Sequence, residues 1–354
     1  MDLKDKTRLV LTTPEIFNIQ RIILTGCGDS YAALMATAEA FRQYAKIKTE
    51  VVPLIDLARE YDSRNLGDAP NNPLIIAVSN SGKLARMGEA MERCNRYGAF
   101  TLGITGDLES VLGQKAQRVL KLDIPKFESA PGTRSYMVCV MALYLLAIRI
   151  GEVRGRYTMD EAGKRRHEIP LLADALEAAL PTLDDQACTL AEQWKNMTAF
   201  DFIGSGYEYA NAWFSQAKIF EGIGSPAMCI NSEEWLHLNF FMREPEKIAT
   251  LVYAGSANKA MSRTLEMLQY ACQLGRPLAV VTDEKIESLD DIGQLLIPKA
   301  VYPFAENLYA FAPLCLITGA MMTLLGERSG RGCEGPWSFS KGAACVRQSK
   351  IEVI

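Results

Sequence analysis

The stretch Ser79-Asn80-Ser81-Gly82-Lys83 places two hydroxyls, an amide, a glycine and a lysine in five consecutive positions. At a strand end ahead of a helix, such a turn offers unpaired backbone amides and the positive end of the helix dipole. Ser79 and Ser81 add hydroxyl donors, Asn80 adds an amide donor, Gly82 allows close backbone approach, and Lys83 brings positive charge. The combination suits a phosphate monoester. The alternative use of the same residues is simple N-capping by Ser or Asn. A second turn, Gly26-Cys27-Gly28-Asp29-Ser30, is another ligand candidate at a strand end, where open α/β sheets hold their ligands. It is not the G-x-G-x-x-G dinucleotide fingerprint, because Tyr31 stands at the third glycine position.

The elements that must carry these turns are legible around them. RIILT is a short β-branched run ahead of the first turn, and an Ala-rich helical stretch follows it. LIIAV at 74–78 reads as a buried strand before the second turn, with the helical pattern LARMGEAMERCNRYG after it. AFTLGIT is a third strand, ending at Gly106-Asp107. Strands alternating with helices predict a parallel sheet covered on both faces, an α/β fold.

The pattern then recurs. DFIGSGYEYA at 201–210 parallels ILTGCGDSYA, ATLVYAGSANKA at 249–260 parallels LIIAVSNSGKLA, and GRPLAVVTD at 275–283 parallels GAFTLGITGD. Gly26 and Asp107 are 81 positions apart, Gly204 and Asp283 are 79. Two similar α/β units in tandem account for this. We place them at 1–165 and 166–354, with His167–Asn196 as a long, polar-faced connecting helix at the start of the second. The copies diverge at the hydroxyl-rich turn: Ser79-Asn80-Ser81-Gly82 corresponds to Ala254-Gly255-Ser256-Ala257. If the turn binds a ligand, the first copy has kept the equipment and the second has mostly lost it.

The chain has 354 residues, 49% hydrophobic and 23% charged, with net charge −4. That is a globular balance, excludes a mainly disordered chain, and gives no reason to expect nucleic acid as the main ligand. Nine scattered cysteines without a C-x-x-C pair argue against a disulfide framework and for a reducing compartment. With His167 and His237 as the only histidines, a His-rich metal site is not expected. The N-terminus reads as no signal peptide, so a cytoplasmic location is expected. Leu308–Leu325 is uncharged over 18 residues, the lower edge of membrane-span length. Interrupted by Pro313 and Gly319, it reads as a helix buried in a core or subunit interface, with no membrane partner.

With both turns and the duplication together, the chain resembles the sugar isomerase (SIS) domain proteins along nearly its whole length. More closely, it resembles the tandem-SIS isomerase half of glucosamine-6-phosphate synthase, the sugar-phosphate deaminases and the fructosamine-6-phosphate deglycases. The family's C-G-[TS]-S is read here as Cys27-Gly28-Asp29-Ser30, its S-x-S-G-E-T as Ser79 to Leu84, and its A-[SA]-T-K as Gly132-Thr133-Arg134-Ser135. Its K-x-x-E matches Lys218 to Glu221, and its E-x-x-H, thirteen positions on, matches Glu234 to His237 without a gap. Its tail lysine matches Lys350 best and Lys341 second.

The resemblance implies two flavodoxin-like or Rossmann-like three-layer units, a sugar-phosphate ligand, and a homodimer whose active site is shared between subunits. It implies neither metal nor redox cofactor. Ser79, Asn80 and Ser81 are then expected to anchor the phosphate, and Ser30 and Thr133 to bind sugar hydroxyls or phosphate. Lys218 and Glu221, at i and i+3, share a helix face, so the lysine can orient or ionise a carboxylate that carries a proton between sugar carbons 1 and 2. His237 opens the sugar ring, Glu234 joins the substrate site, and Lys350 forms an imine or folds over as a lid. The SIS region begins at the start of the chain and leaves no room for a glutaminase. We therefore expect a deaminase or deglycase of an amino or aminated hexose 6-phosphate. The alternatives are a simple phosphosugar isomerase and a non-catalytic phosphosugar-binding regulator. Leu84, Gly132 and Leu238-Asn239 depart from the family's Thr, Ser and Gly-Pro, which bears on the substrate more than on the reaction.

Overall fold

In the computed structural model, which describes residues 2–67, 73–125 and 132–354, the chain divides into two compact units, each built on its own sheet. The first sheet has β1 (Arg21–Gly26), β2 (Lys48–Pro53), β3 (Leu74–Val78), β4 (Phe100–Thr105) and β5 (Arg118–Lys121). Their spatial order is β2-β1-β3-β4-β5, with every pair parallel. The second sheet has β6 (Ala199–Ile203), β7 (Ala227–Ile230), β8 (Ile248–Tyr253), β9 (Leu278–Thr282) and β10 (Gly293–Leu296). Read from the β7 edge, its order is β7-β6-β8-β9-β10, again all parallel, so the topology is the same. Both have the flavodoxin-like strand order, in which the chain switches direction between the first and third strands.

The central strands are buried from end to end, β3, β4 and β8 at every residue. This is the signature of a parallel sheet with both faces covered by helices. Core side chains from β1 and β3 pack against the helix Ala85–Arg96 in the first unit, and those of β6, β8 and β9 against the helix Met261–Gln273 in the second.

The long connecting helix is present and longer than expected, running Met159–Trp194 with Pro170 and Pro181 inside it. The division between units falls within it, between Arg166 and His167. A cut near 165 misses one feature: residues Gly332–Ile354 belong to the first unit, not the second.

The apolar segment forms the helix Ala312–Leu325. Among the described residues, two helical segments, Ala305–Leu325 and Thr133–Val153, are long and apolar enough to cross a membrane by composition, yet half or more of the apolar stretch in each is buried inside the protein. All nine cysteines are free thiols.

Candidate functional site

In the first unit, the hydroxyl-rich turn leaves β3 at the carboxyl edge of the sheet, next to the end of β4. The Ser79 amide donates to the Ile104 carbonyl (3.1 Å) and the Gly106 amide to the Asn80 carbonyl (2.9 Å). Gly82 donates its amide back to the Ser79 carbonyl (3.0 Å) and hydroxyl (3.1 Å). Gly82 has φ +64, and a Cβ there would collide with Ser110, so both the backbone conformation and the space demand glycine. Ser79 is buried and spends its hydroxyl inside the turn. The helix itself starts only at Ala85, so the turn is a strand-end loop rather than the first turn of a helix.

The amides of Asn80 and Ser81 receive no hydrogen-bond acceptor among the described residues. They border an open cavity of about 570 Å³ lined by Asn80, Ser81, Lys83, Gly106, Asp107 and Lys121, among others. That volume is in the range that takes a small ligand. Lys83 lies 3.1 Å from Asp107, and Lys121 3.2 Å from Asp123. The Lys83 ammonium holds the Asp107 carboxyl below its ordinary range.

The first turn meets the third motif. Ser30 sits in the first turn of the helix Asp29–Ala40, and Thr133 opens the helix Thr133–Val153. The Asp29 carboxylate lies against Gly132, where a Cβ would be well inside contact distance. Two departures from the family pattern, at positions 29 and 132, are thus one packing arrangement. An acid there also faces the positive end of the helix that Thr133 begins.

The second unit carries the same edge with different chemistry. The Ala254 amide donates to the Val281 carbonyl (2.9 Å), the counterpart of Ser79 to Ile104. The next two amides, equivalent to those of Asn80 and Ser81, are occupied. Gly255 donates to Glu208 Oε1 (2.6 Å) and Ser256 to Asp283 Oδ1 (2.6 Å). Two carboxylates of the chain itself fill the positions that stand open in the first unit. Burial, reinforced by neighbouring Glu306, raises the Glu208 pKa well above the ordinary carboxylate value.

Lys218 and Glu221 lie on the helix Tyr209–Gly222, and their side chains meet at 2.5 Å. Lys218 is 1% exposed, with its ammonium over the Phe214 ring (4.8 Å), while Glu221 is half exposed. The buried ammonium thus fixes the direction of a half-exposed carboxylate. Glu234 and His237 lie on the helix Ser232–His237. Glu234 occupies its first turn, where its amide donates to the capping Asn231 Oδ1 (2.9 Å). His237 is the last residue, 66% exposed, with Nε2 3.3 Å from Glu233 Oε1. Glu233 is held by Arg263, which keeps its carboxyl below the usual range.

A buried residue that the sequence did not single out positions this short helix. Asp201, on β6, accepts from Trp235 Nε1 (2.9 Å), Asn239 Nδ2 (2.8 Å) and Arg276 Nη1 (3.0 Å). Arg276 also donates to the Asn239 carbonyl (2.6 Å). Burial raises the Asp201 pKa and lowers that of Arg276. Trp235 and Asn239 flank His237, so this pair fixes the backbone on both sides of the imidazole.

Lys350 lies in the tail, with the first unit. Its side chain is 82% exposed and reaches Glu352 (2.5 Å). The tail backbone is held by the helix that follows the hydroxyl-rich turn. Arg86 donates to the Lys350 carbonyl, Arg93 to the Ile354 carbonyl (3.1 Å), and the Glu352 amide to Glu89 (3.0 Å). Glu89 is fully buried. Burial alone would raise its pKa, but hydrogen bonds from Arg59 and the Glu352 amide, with the Arg86 charge, bring it below the ordinary value. Lys341, the second candidate, lies in the same segment, at non-helical backbone angles. Among the described residues no group of three or more His, Cys, Asp or Glu side chains is arranged to hold a metal ion.

Residues 15–149 match the SIS domain family. A curated relative, glutamine–fructose-6-phosphate aminotransferase [isomerizing] 1 of Rattus norvegicus, is 24% identical over 318 residues, covering 88% of this chain and 45% of its own length. The chain therefore spans less than half of that relative. Among solved structures, the C-terminal domain of glucosamine-fructose-6-phosphate aminotransferase from Francisella tularensis superposes with a TM-score of 0.82 at 17% identity, covering 92% of this chain and 94% of that one. Glucosamine-6-phosphate deaminase from Thermotoga maritima superposes with a TM-score of 0.67 at 17% identity, over 92% and 94% of the two chains.

Proposed function

We propose, from the premise that this is a SIS-domain protein, that it is an enzyme of the phosphosugar isomerase kind acting on an amino or aminated hexose 6-phosphate. The observation that carries this reading is the contrast between two equivalent turns. In the second unit the amides of Gly255 and Ser256 hold carboxylates. In the first unit the same amides, on Asn80 and Ser81, border a cavity with Lys83 and Lys121 on its wall. A backbone arrangement that holds carboxyl oxygens in one copy is assigned to bind the phosphate ester in the other, with the Ser81 hydroxyl and the Asn80 amide side chain adding donors. Ser79 acts by fixing the turn. Ser30 and Thr133, brought to the same edge through the Asp29–Gly132 contact, are assigned to the sugar hydroxyls.

Proton transfer is assigned to the second unit. His237 takes the proton of the anomeric hydroxyl and returns one to the ring oxygen, opening the sugar. Glu221, held in place by Lys218, removes the proton from one of carbons 1 and 2 and delivers it to the other. Glu234 orients the substrate. Water then adds to the imine carbon and the carbon–nitrogen bond breaks. The amine leaves as ammonia or an amino acid, and a hexose 6-phosphate remains. Lys350 is assigned to the open-chain carbonyl or to closing the site. The assembly is a homodimer located in the cytoplasm. The deaminase of the same fold is the motive for placing nitrogen chemistry ahead of plain aldose–ketose exchange.

Thermal-shift screening with hexose 6-phosphates and their 2-amino and N-substituted relatives, followed by assays of ammonia or amino-acid release, tests the reading. Glu221→Gln is expected to cut turnover at least 100-fold while leaving sugar-phosphate binding within about twofold. Ser81→Ala is expected to weaken binding about tenfold, the worth of one hydrogen bond to a charged group. Binding without turnover across the panel would make the protein a sensor and overturn the enzymatic assignment.

A further inference from the structure

The second unit buries two acids in one place. Glu208 and Glu306 are 2% and 5% exposed, and both reach the Cα of Gly255. A Cβ on that glycine would lie 2.9 Å from Glu208 Oε1 and 3.3 Å from both oxygens of Glu306. Their oxygens line a small cavity with Asn211 and Tyr253. Its volume, about 10 Å³, suits a single water-sized occupant. Asn211 is fully buried on the same wall, and its Oδ1 has no hydrogen-bond partner among the described residues, its Nδ2 being spent on Asn307.

Among the described residues, the groups that bear on this acid pair add no positive charge. Asp283 bears on both carboxylates, the Tyr207 hydroxyl reaches Glu306, and Tyr309 lies nearby. Both oxygens of Glu208 already accept hydrogen bonds, from the Gly255 amide and from Asn258 Nδ2, which offset only part of the upward shift that burial and Glu306 impose on it. Two buried acids are costly without compensation. Beside the apolar Val281, Ile297 and Ala310, the polar side chains of the lining are the two acids, Asn211 and Tyr253; the acid oxygens and Asn211 Oδ1 are acceptors that a hard cation satisfies at once.

We propose that this cavity is a binding site for one small monovalent cation, Na⁺ or K⁺, held by Glu208, Glu306 and Asn211 Oδ1. Mg²⁺ is excluded by size, because it keeps several waters that this cavity has no room for. The site is separate from the phosphate cavity of the first unit, and its test needs no catalytic assay.

The competing compensator is a proton. Burial raises the Glu306 pKa to about 7. An acid whose folded pKa is raised contributes stability at low pH that is lost as pH rises from its unfolded value through the folded one. The cation is therefore needed at pH 8 and displaced by the proton at pH 5.5.

Thermal unfolding of the full chain in NaCl, KCl and choline chloride at equal ionic strength separates the two. At pH 8 one alkali salt is expected to raise the melting temperature by about 3 °C over choline, and at pH 5.5 the difference is expected to vanish. Glu306→Gln is expected to lose the response. Should that variant not fold, Asn211→Ala keeps both carboxylates and is expected to lose most of the response. Equal melting in alkali and choline salts at pH 8, or a response that survives in the substituted protein, would overturn the cation site.

Discussion

One edge of each sheet ends in the same loop, and the two loops are satisfied in different ways. After β3 the amides of Asn80 and Ser81 border an open cavity; after β8 the amides of Gly255 and Ser256 are closed by Glu208 and Asp283. The strand order, the register of the loop and its first hydrogen bond are common to both. The difference lies in side chains reaching in from elsewhere. The same backbone loop is thus left open in one unit and closed in the other by side chains alone.

The units also bury their ionic groups differently, and this gives the comparison its sharpest test. Ile23 on β1 and Asp201 on β6 occupy equivalent strand positions, both fully buried. Asp201 is neutralised by Arg276, which is itself buried. Asp201→Ala leaves that arginine uncompensated and is expected to cost about 3–5 kcal/mol in denaturant unfolding. Ile23→Ala creates only an apolar cavity and is expected to cost about 2–5 kcal/mol. Activity separates the two: the Asp201 variant should also lose turnover, because the segment around His237 loses its anchor.

The first unit places its buried acid on a helix face instead. Glu89→Gln removes the charge that Arg59 and Arg86 share and replaces one of the two oxygens, which accept from Arg59 and the Glu352 amide, with a donor. Because both arginines are partly solvated, the expected loss is smaller, about 2 kcal/mol. Its distinctive sign is faster removal of residues 350–354 by carboxypeptidase. Unchanged trimming would show that the tail is held independently of Glu89.

The smallest effect belongs to the Asp29–Gly132 contact, which has no counterpart described in the second unit. Gly132→Ser is expected to destabilise by about 1–3 kcal/mol through overpacking. Asp29→Ser in the same chain is expected to recover most of it, a coupling that a double-mutant cycle measures. Additive losses would mean that the two positions are independent.

Much of this architecture can be read in the sequence for a physical reason. LIIAV and IATLVY are unbroken apolar runs because a parallel strand has no solvent face, and the glycine turns after them mark where the sheet edge opens. The hydroxyl-rich turn was equally plain, since its residues are contiguous. The acids of the second unit were not. Glu208 and Glu306 are 98 positions apart, and nothing local distinguishes a buried glutamate from a solvated one. Asp201 sits inside an apolar run and reads as an ordinary strand residue until Arg276, 75 positions on, is seen beside it. The burial of Lys218 likewise depends on Phe214 and the surrounding core. The return of the tail to the first unit is a tertiary fact with no sequence signature at all.

That return has a consequence for how the molecule is made. Residues Gly332–Ile354 complete the first unit, yet they are synthesised after all of the second. On the ribosome the leading body must wait, its Glu89–arginine cluster unroofed, until the trailing body has been extruded. A nascent chain stalled near residue 331 should hold a finished second unit beside an unfinished first one.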